Sequence, residues 1–255
     1  MKTISKRIIL LLLSLAVVIS MSAVSFADSG TTIASKSSTG LADGTYTVTV
    51  KPDLSGSGGM FYIASEDKNT CKLTVQNGVM TATIRLNSSG YDKLYMGAAA
   101  DAPNHESSWI NYVEDADHYY TFQIPVSAFD KDLAVAAYGT KGKAWHDHTL
   151  TFSYTAASVT PAKTNLKSVK AAKKSAKLTW SEQSTNTAGY QIRYSLMSSM
   201  SKAKSVKVAN KTTTSKTISK LKSGKKYYFQ IRTYNKVGSK SYYSSWSSKK
   251  SVKVK

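Results

Sequence analysis

Along most of this chain the apolar positions recur at every second residue, a period that predicts strands and not helices. In the first half Tyr46, Val48 and Val50 alternate with threonines, and Leu73 and Val75 lead through Asn77-Gly78 into the run Val79 to Leu86. Asn-Gly accepts the two positive φ angles of a type I′ turn, so this stretch predicts a hairpin. Further strands are predicted at Leu94 to Ala98, Tyr119 to Val126, Leu133 to Tyr138 and Thr149 to Tyr154. Short antiparallel strands at this density imply a sandwich or a barrel. The same period continues in the second half, where Ala176-Lys177-Leu178 and Val252-Lys253-Val254 turn their lysines outward. The predicted fold class is therefore all-β, two antiparallel β-sandwich domains in tandem after a cleaved signal peptide.

The amino-terminal segment is apolar without a two-residue period. Lys2, Lys6 and Arg7 precede an apolar run from Ile8 to Ile19, and Ser25-Phe26-Ala27 is a small-x-small cleavage site. The run is too short to span a membrane, so residues 1–27 read as a signal peptide and the mature chain is expected to be secreted, without a transmembrane segment. Ser, Thr and Gly dominate 28–40, a flexible leader, and the stretch 156–163 reads as a linker between an acidic domain at 41–155 and a basic domain at 164–255. Cys71 is the only cysteine, so neither domain can be stapled by an internal disulfide, and each must stand on its own core. Export without disulfides points to a Gram-positive source.

Charge divides the chain sharply. Asp28 to Ser158 holds 9 basic and 14 acidic residues, whereas Val159 to Lys255 holds 23 basic residues and one acid, Glu182. Solvated β surfaces ordinarily interleave both signs, and a one-signed field repels itself, which predicts a polyanionic partner. Of those 23 cations 21 are Lys, and only Arg193 and Arg232 are Arg, which favours diffuse point-charge attraction over bidentate reading of a shaped ligand. Candidate contacts are Lys204, Lys207, Lys222, Lys225, Lys226, Arg232, Lys236, Lys240, Lys249 and Lys250. The expected partner is an anionic cell-wall polymer such as teichoic acid, an anionic envelope or a glycosaminoglycan, with no specific nucleic acid, and the chain is expected to be a monomer.

The second domain resembles a fibronectin type III module over essentially its whole length. The resemblance rests on Trp180 in Lys177-Leu-Thr-Trp180, on Gly189-Tyr190-Gln-Ile192-Arg-Tyr194, and on Leu221 to Asn235 with Tyr227 six residues after Leu221. It implies that Trp180 fills the core and that Tyr227 forms a tyrosine corner. Ser223 stands where the family usually has Pro. Tyr243-Ser244-Ser245-Trp246-Ser247 resembles a Trp-Ser-x-Trp-Ser motif, which implies stacking of Arg232 or Lys226 on its rings. The first domain is similar to modules of exported Gram-positive proteins related to the C domain of a treponemal penicillin-binding lipoprotein. Met60-Phe61, Asn77 to Ala82, Gly90 to Gly97 and Tyr120 to Val126 carry that likeness. It implies a fold and brings no catalytic residue.

Candidate chemistry beyond charge is sparse. Ser-x-x-Lys begins at Ser65, Ser199, Ser201, Ser219, Ser223 and Ser247, but in β pattern and in a Lys/Ser-rich domain where chance produces it. His146 and His148 would share one face of a strand and could grip a metal together, but they read here as solvated imidazoles in a loop before Thr149, so no metal site is expected. Met60, Met96, Tyr120, Trp145, His146 and His148 are the ligand candidates of the first domain, with haem the alternative to having no cofactor. Glu114, Asp115 and Asp117 crowd one loop, which suits solvation or a calcium contact better than acid–base catalysis. The expected function is that of a non-enzymatic extracellular binding or adhesion protein. Its alternatives are a haem or iron acquisition module and a glycan-binding accessory module using Trp109, Trp145 and Trp246.

Overall fold

The computed structural model describes residues 40–53, 61–64 and 69–255. The segment expected to be a signal peptide, the expected leader up to residue 39, Ser65 and Met60 lie outside these residues. Among the described residues no helix is long and apolar enough to cross a membrane.

Among the described residues, nine strands build the first domain: β1 (Gly44–Pro52), β2 (Thr70–Gln76), β3 (Val79–Arg85), β4 (Tyr91–Tyr95), β5 (Ile110–Asn111), β6 (Val113–Glu114), β7 (Tyr120–Pro125), β8 (Asp132–Gly139) and β9 (Ala144–Ser153). They form one antiparallel sheet in the order β5-β4-β8-β9-β1-β2-β3-β7-β6. The two edge strands, β5 and β6, are separated only by Tyr112, so one short segment pairs with β4 on one side and β7 on the other. The sheet is thereby folded over until its two halves face each other. Between them Leu73, Ala82 and Ile84 from one half meet Leu94, Val135 and Leu150 from the other, all fully buried. The β2–β3 hairpin turns at Asn77 and Gly78, whose φ values of 53° and 79° are those a type I′ turn requires.

Two predicted elements shift. β4 ends at Tyr95 and begins earlier than Leu94–Ala98 suggested, because Tyr91 and Leu94 both reach the core across a bulge opposite β8. The loop expected before Thr149 is a strand. β9 stays paired with β8 from Thr151 back to Ala144, with His148 opposite Val135 and His146 opposite Ala137. The polar run Trp145-His-Asp-His148 hides the alternation, while the backbone ladder to β8 continues regardless of it.

The joining segment is folded as well. A short helix, α1 (Ala156–Val159), is capped reciprocally by Thr155 and Ser158 and ends in a fully buried Val159. The second domain follows as β10 (Leu166–Ala172), β11 (Ser175–Trp180), β12 (Gly189–Ser195), β13 (Lys204–Val208), β14 (Ser215–Ile218), β15 (Lys226–Val237), β16 (Lys240–Tyr243) and β17 (Lys250–Lys253). Its sheets are β10-β11-β14 and β13-β12-β15-β16, with β17 also paired to β15. Trp180, Tyr190, Ile192, Phe229 and Ile231 are buried between them. Tyr227 is buried, and its hydroxyl accepts the Lys222 N–H at 3.1 Å, which pins the turn ahead of β15 as a tyrosine corner does.

Candidate functional site

β15 organises the second domain's chemistry because it pairs with β12 along its length, with β17 near its start and with β16 near its end. Between the last two the segment after Tyr243 runs alongside it. There the hydroxyls of Ser244 and Ser247 accept the buried N–H groups of Thr233 and Ile231, each at 3.1 Å, and replace a regular ladder. This places Trp246 on the outer face, between the guanidinium groups of Arg193 at 4.2 Å and Arg232 at 4.3 Å. Arg232 also lies 3.7 Å from the Tyr243 ring centre, and Lys207 caps Tyr234 and Tyr243 at 5.2 and 5.7 Å. The guanidiniums are held in turn by glutamines, Arg193 by Gln230 and Arg232 by Gln191. Alternating cations and rings of this kind gain about 0.5–2 kcal/mol per contact, more where water is excluded. Arg232 is therefore built into the sheet face. Lys226, the other stacking candidate, instead lies over Tyr228 at 5.6 Å.

The remaining cation candidates separate into three places. Lys204, Lys249 and Lys250 lie on or beside the β13 and β17 edges, Lys236 and Lys240 at the β15–β16 hairpin, and Lys222, Lys225 and Lys226 around the start of β15. All eight are exposed. Two lysine pairs face each other directly across strands, Lys170 with Lys177 and Lys226 with Lys253. Like charges so placed are destabilising. Among the described residues every ion pair lies in the first domain: Arg85 with Asp115 at 2.6 Å and Asp117 at 3.0 Å, Lys93 with Asp92, and His118 with Glu114. The acidic loop is thus spent on closing the turn before β7, where Asp115 also accepts the N–H groups of Asp117 and Tyr119.

The ligand candidates of the first domain do not converge on one point. Tyr120 stacks on Tyr112 at 3.7 Å near the β5–β6 segment. Met96 is half-buried against the main core. Trp145 faces the opposite side of β9 from His148, packed with Trp109 and Tyr138 at 5.3 Å each, and Lys93 caps Tyr138 at 4.8 Å. His146 and His148 do share a face, as strand geometry requires, but their surroundings differ. His146 is exposed; His148 is buried, stacked 4.2 Å from Phe61 and met edge-on by Tyr91. Among the described residues neither of its ring nitrogens has a hydrogen-bond partner. Burial, and then the neighbouring His146, push its pKa down to about 4. Among the described residues no group of three or more metal-ligating side chains comes together.

No curated protein matches the chain at a significant level. Among solved structures, a myokine structure is 19% identical over 37% of this chain and 96% of that chain, with a TM-score of 0.29. The FN1–FN3 domains of chicken CNTN1 are 14% identical over 84% of this chain and 96% of that one, at 0.33. A cytokine receptor complex is 12% identical over 68% and 90%, at 0.31. Residues 160–250 match the family model of the fibronectin type III domain, in agreement with the buried Trp180 and the Tyr227 corner.

Proposed function

We propose that this is an exported, non-catalytic binding or adhesion protein whose basic fibronectin type III domain docks on an anionic polymer of the cell envelope or its surroundings and displays the acidic first domain. The observation that carries this reading is the unneutralised field of the second domain: 23 cations, one acid, no ion pair among the described residues and two cross-strand lysine pairs. Such a surface gains when an external polyanion replaces its condensed salt, and that gain falls steeply as salt is added. Retention on immobilised heparin and on isolated Gram-positive walls at low ionic strength, with release before 0.5 M NaCl, is the expected result. Passage through both matrices unretained at 20 mM salt would end this reading.

A second reading has its own support. Tyr138, Trp145 and Trp109 form an aromatic group on the outer face of the first domain with Lys93 over it. Rings beside a charged donor suit stacking on sugars, and pull-down with insoluble peptidoglycan at high salt, where charge is screened, separates this use from the first.

A further inference from the structure

Resting on the polyanion reading above, we infer that the contact is made by one defined surface, a crown of lysines at the end of the second domain remote from the first, and that its ligand is a flexible polymer of repeating phosphate charges. Three segments far apart in sequence are tied together there by backbone hydrogen bonds. Leu221 N–H donates to Lys174 O at 2.9 Å, Gly224 N–H to Val254 O at 2.9 Å, Val254 N–H to Lys225 O at 3.0 Å and Lys174 N–H to Lys255 O at 2.9 Å. The knot brings Lys173 and Lys174 beside Lys220, Lys222 and Lys225, with the facing pair Lys226 and Lys253 at its rim. All seven side chains are exposed.

The place of this crown is fixed by β15. Its Lys226 end carries the crown, and its other end, at Val237, is buried in the core of the first domain. Twelve residues of strand put the two ends roughly 35 Å apart. A surface bound through the crown therefore holds the first domain away from itself.

Two further features fit a site and not an incidental density of charge. Lys174 and Lys220 occupy left-handed backbone positions, with φ of 48° and 60°, where Gly or Asn is the easier choice. Meanwhile the crown contains no arginine: both arginines of the domain are locked against Trp246 and their glutamines. Lysine ammoniums on long stems meet phosphates as mobile point charges, which suits a flexible chain, whereas planar forks suit a shaped, bidentate partner.

The test compares two variants of equal net charge. One replaces Lys173, Lys222, Lys225 and Lys253 by Gln; the other replaces Lys163, Lys167, Lys202 and Lys216, all exposed and outside the crown. Binding to long-chain inorganic polyphosphate, heparin and phosphatidylglycerol vesicles is measured across a salt series, with thermal midpoints to confirm folding. Polyphosphate affinity is expected to fall at least ~10-fold in the crown variant, with the slope of log affinity against log salt shallower by about 3, and to fall less than ~3-fold in the other. Equal losses would overturn the crown while leaving the polyanion reading intact. Heparin or vesicles bound as tightly as polyphosphate would overturn the phosphate polymer, and a wild-type protein that binds none of the three would remove the underlying reading itself.

Discussion

His148 is a buried imidazole whose nitrogens meet no partner among the described residues, and the cost of charging it there exceeds anything its neighbours return. Its pKa stands near 4 in the fold against 6.5 in an open chain. Between those values the unfolded chain binds a proton that the folded chain does not, so this contribution to stability is complete above about pH 6.5 and is lost as pH falls toward 4. The difference amounts to about 3 kcal/mol. Replacing His148→Phe keeps the stack on Phe61 and removes the titration, so urea midpoints at pH 7 and pH 4 are expected to lie closer together in the variant than in the wild type. An unchanged gap would show that His148 is solvated. Cys71 makes a parallel case, since burial pushes its thiol up to about 12. An aromatic disulfide reagent is expected to leave it untouched at pH 8 until urea unfolds the domain, when one thiol per chain reacts.

At the scale of elements, the segment beside β15 is held by hydroxyls standing in for a strand partner. Ser244→Ala and Ser247→Ala each orphan a buried backbone N–H and are expected to cost about 1–3 kcal/mol, whereas exposed Ser245→Ala is expected to change stability by less than about 0.5 kcal/mol. Denaturant midpoints of the three variants check this, and equal values would mean that the hydroxyls add nothing to the backbone bonds from Ser244 N–H to Thr233 O and from Ser247 N–H to Ile231 O. The β2–β3 hairpin, Trp180 and Tyr227 were all legible in the sequence because each depends on a local pattern: a turn dipeptide, a strand period, a fixed Leu-to-Tyr interval. β5 and β6 were not, since two-residue strands have no period to detect. Nor was the extension of β9 through His146, where pairing with β8 decides the conformation and the side chains do not advertise it. The ladder was half legible: the motif pointed to Arg232, but Arg193 and Lys207 join it only through cross-strand register. The lysine crown was legible only in part: Lys222, Lys225 and Lys226 stood among the candidates, but Lys173, Lys174, Lys220 and Lys253 become their neighbours only once three turns are tied together.

The whole molecule differs most from what the sequence implies at the joint. A Ser/Thr/Ala-rich stretch between two domains suggests a hinge, but Val159, Val237 and Tyr242 are all buried in the first domain's core, although the last two belong to strands of the second. At the centre lies Asn235, wholly buried. It accepts the Ala42 N–H at 3.2 Å and donates to Tyr46 Oη and to Val159 O, both at 3.1 Å, while the Tyr242 and Tyr154 hydroxyls meet at 3.3 Å. Burial pushes the Tyr46 phenol up to about 12, so this network stays neutral through the physiological range. A buried amide satisfied from two separate segments, the start of the first domain and the joining helix, orients the domains as well as holding them. The domains should therefore unfold as one cooperative unit, giving a single thermal transition by both tryptophan fluorescence and far-ultraviolet circular dichroism. Asn235→Ala leaves the Ala42 N–H and the Val159 carbonyl to find new partners in an apolar seam, while the Tyr46 hydroxyl keeps its bond to Ala42 O, at a cost of about 2–4 kcal/mol. That variant is expected to melt lower and to separate into two transitions, because the loss falls on the joint while both cores remain. If the wild type already melts in two resolved steps, the seam contributes little, and a molecule docked through its far end would carry its first domain on a swivel instead of at a fixed angle.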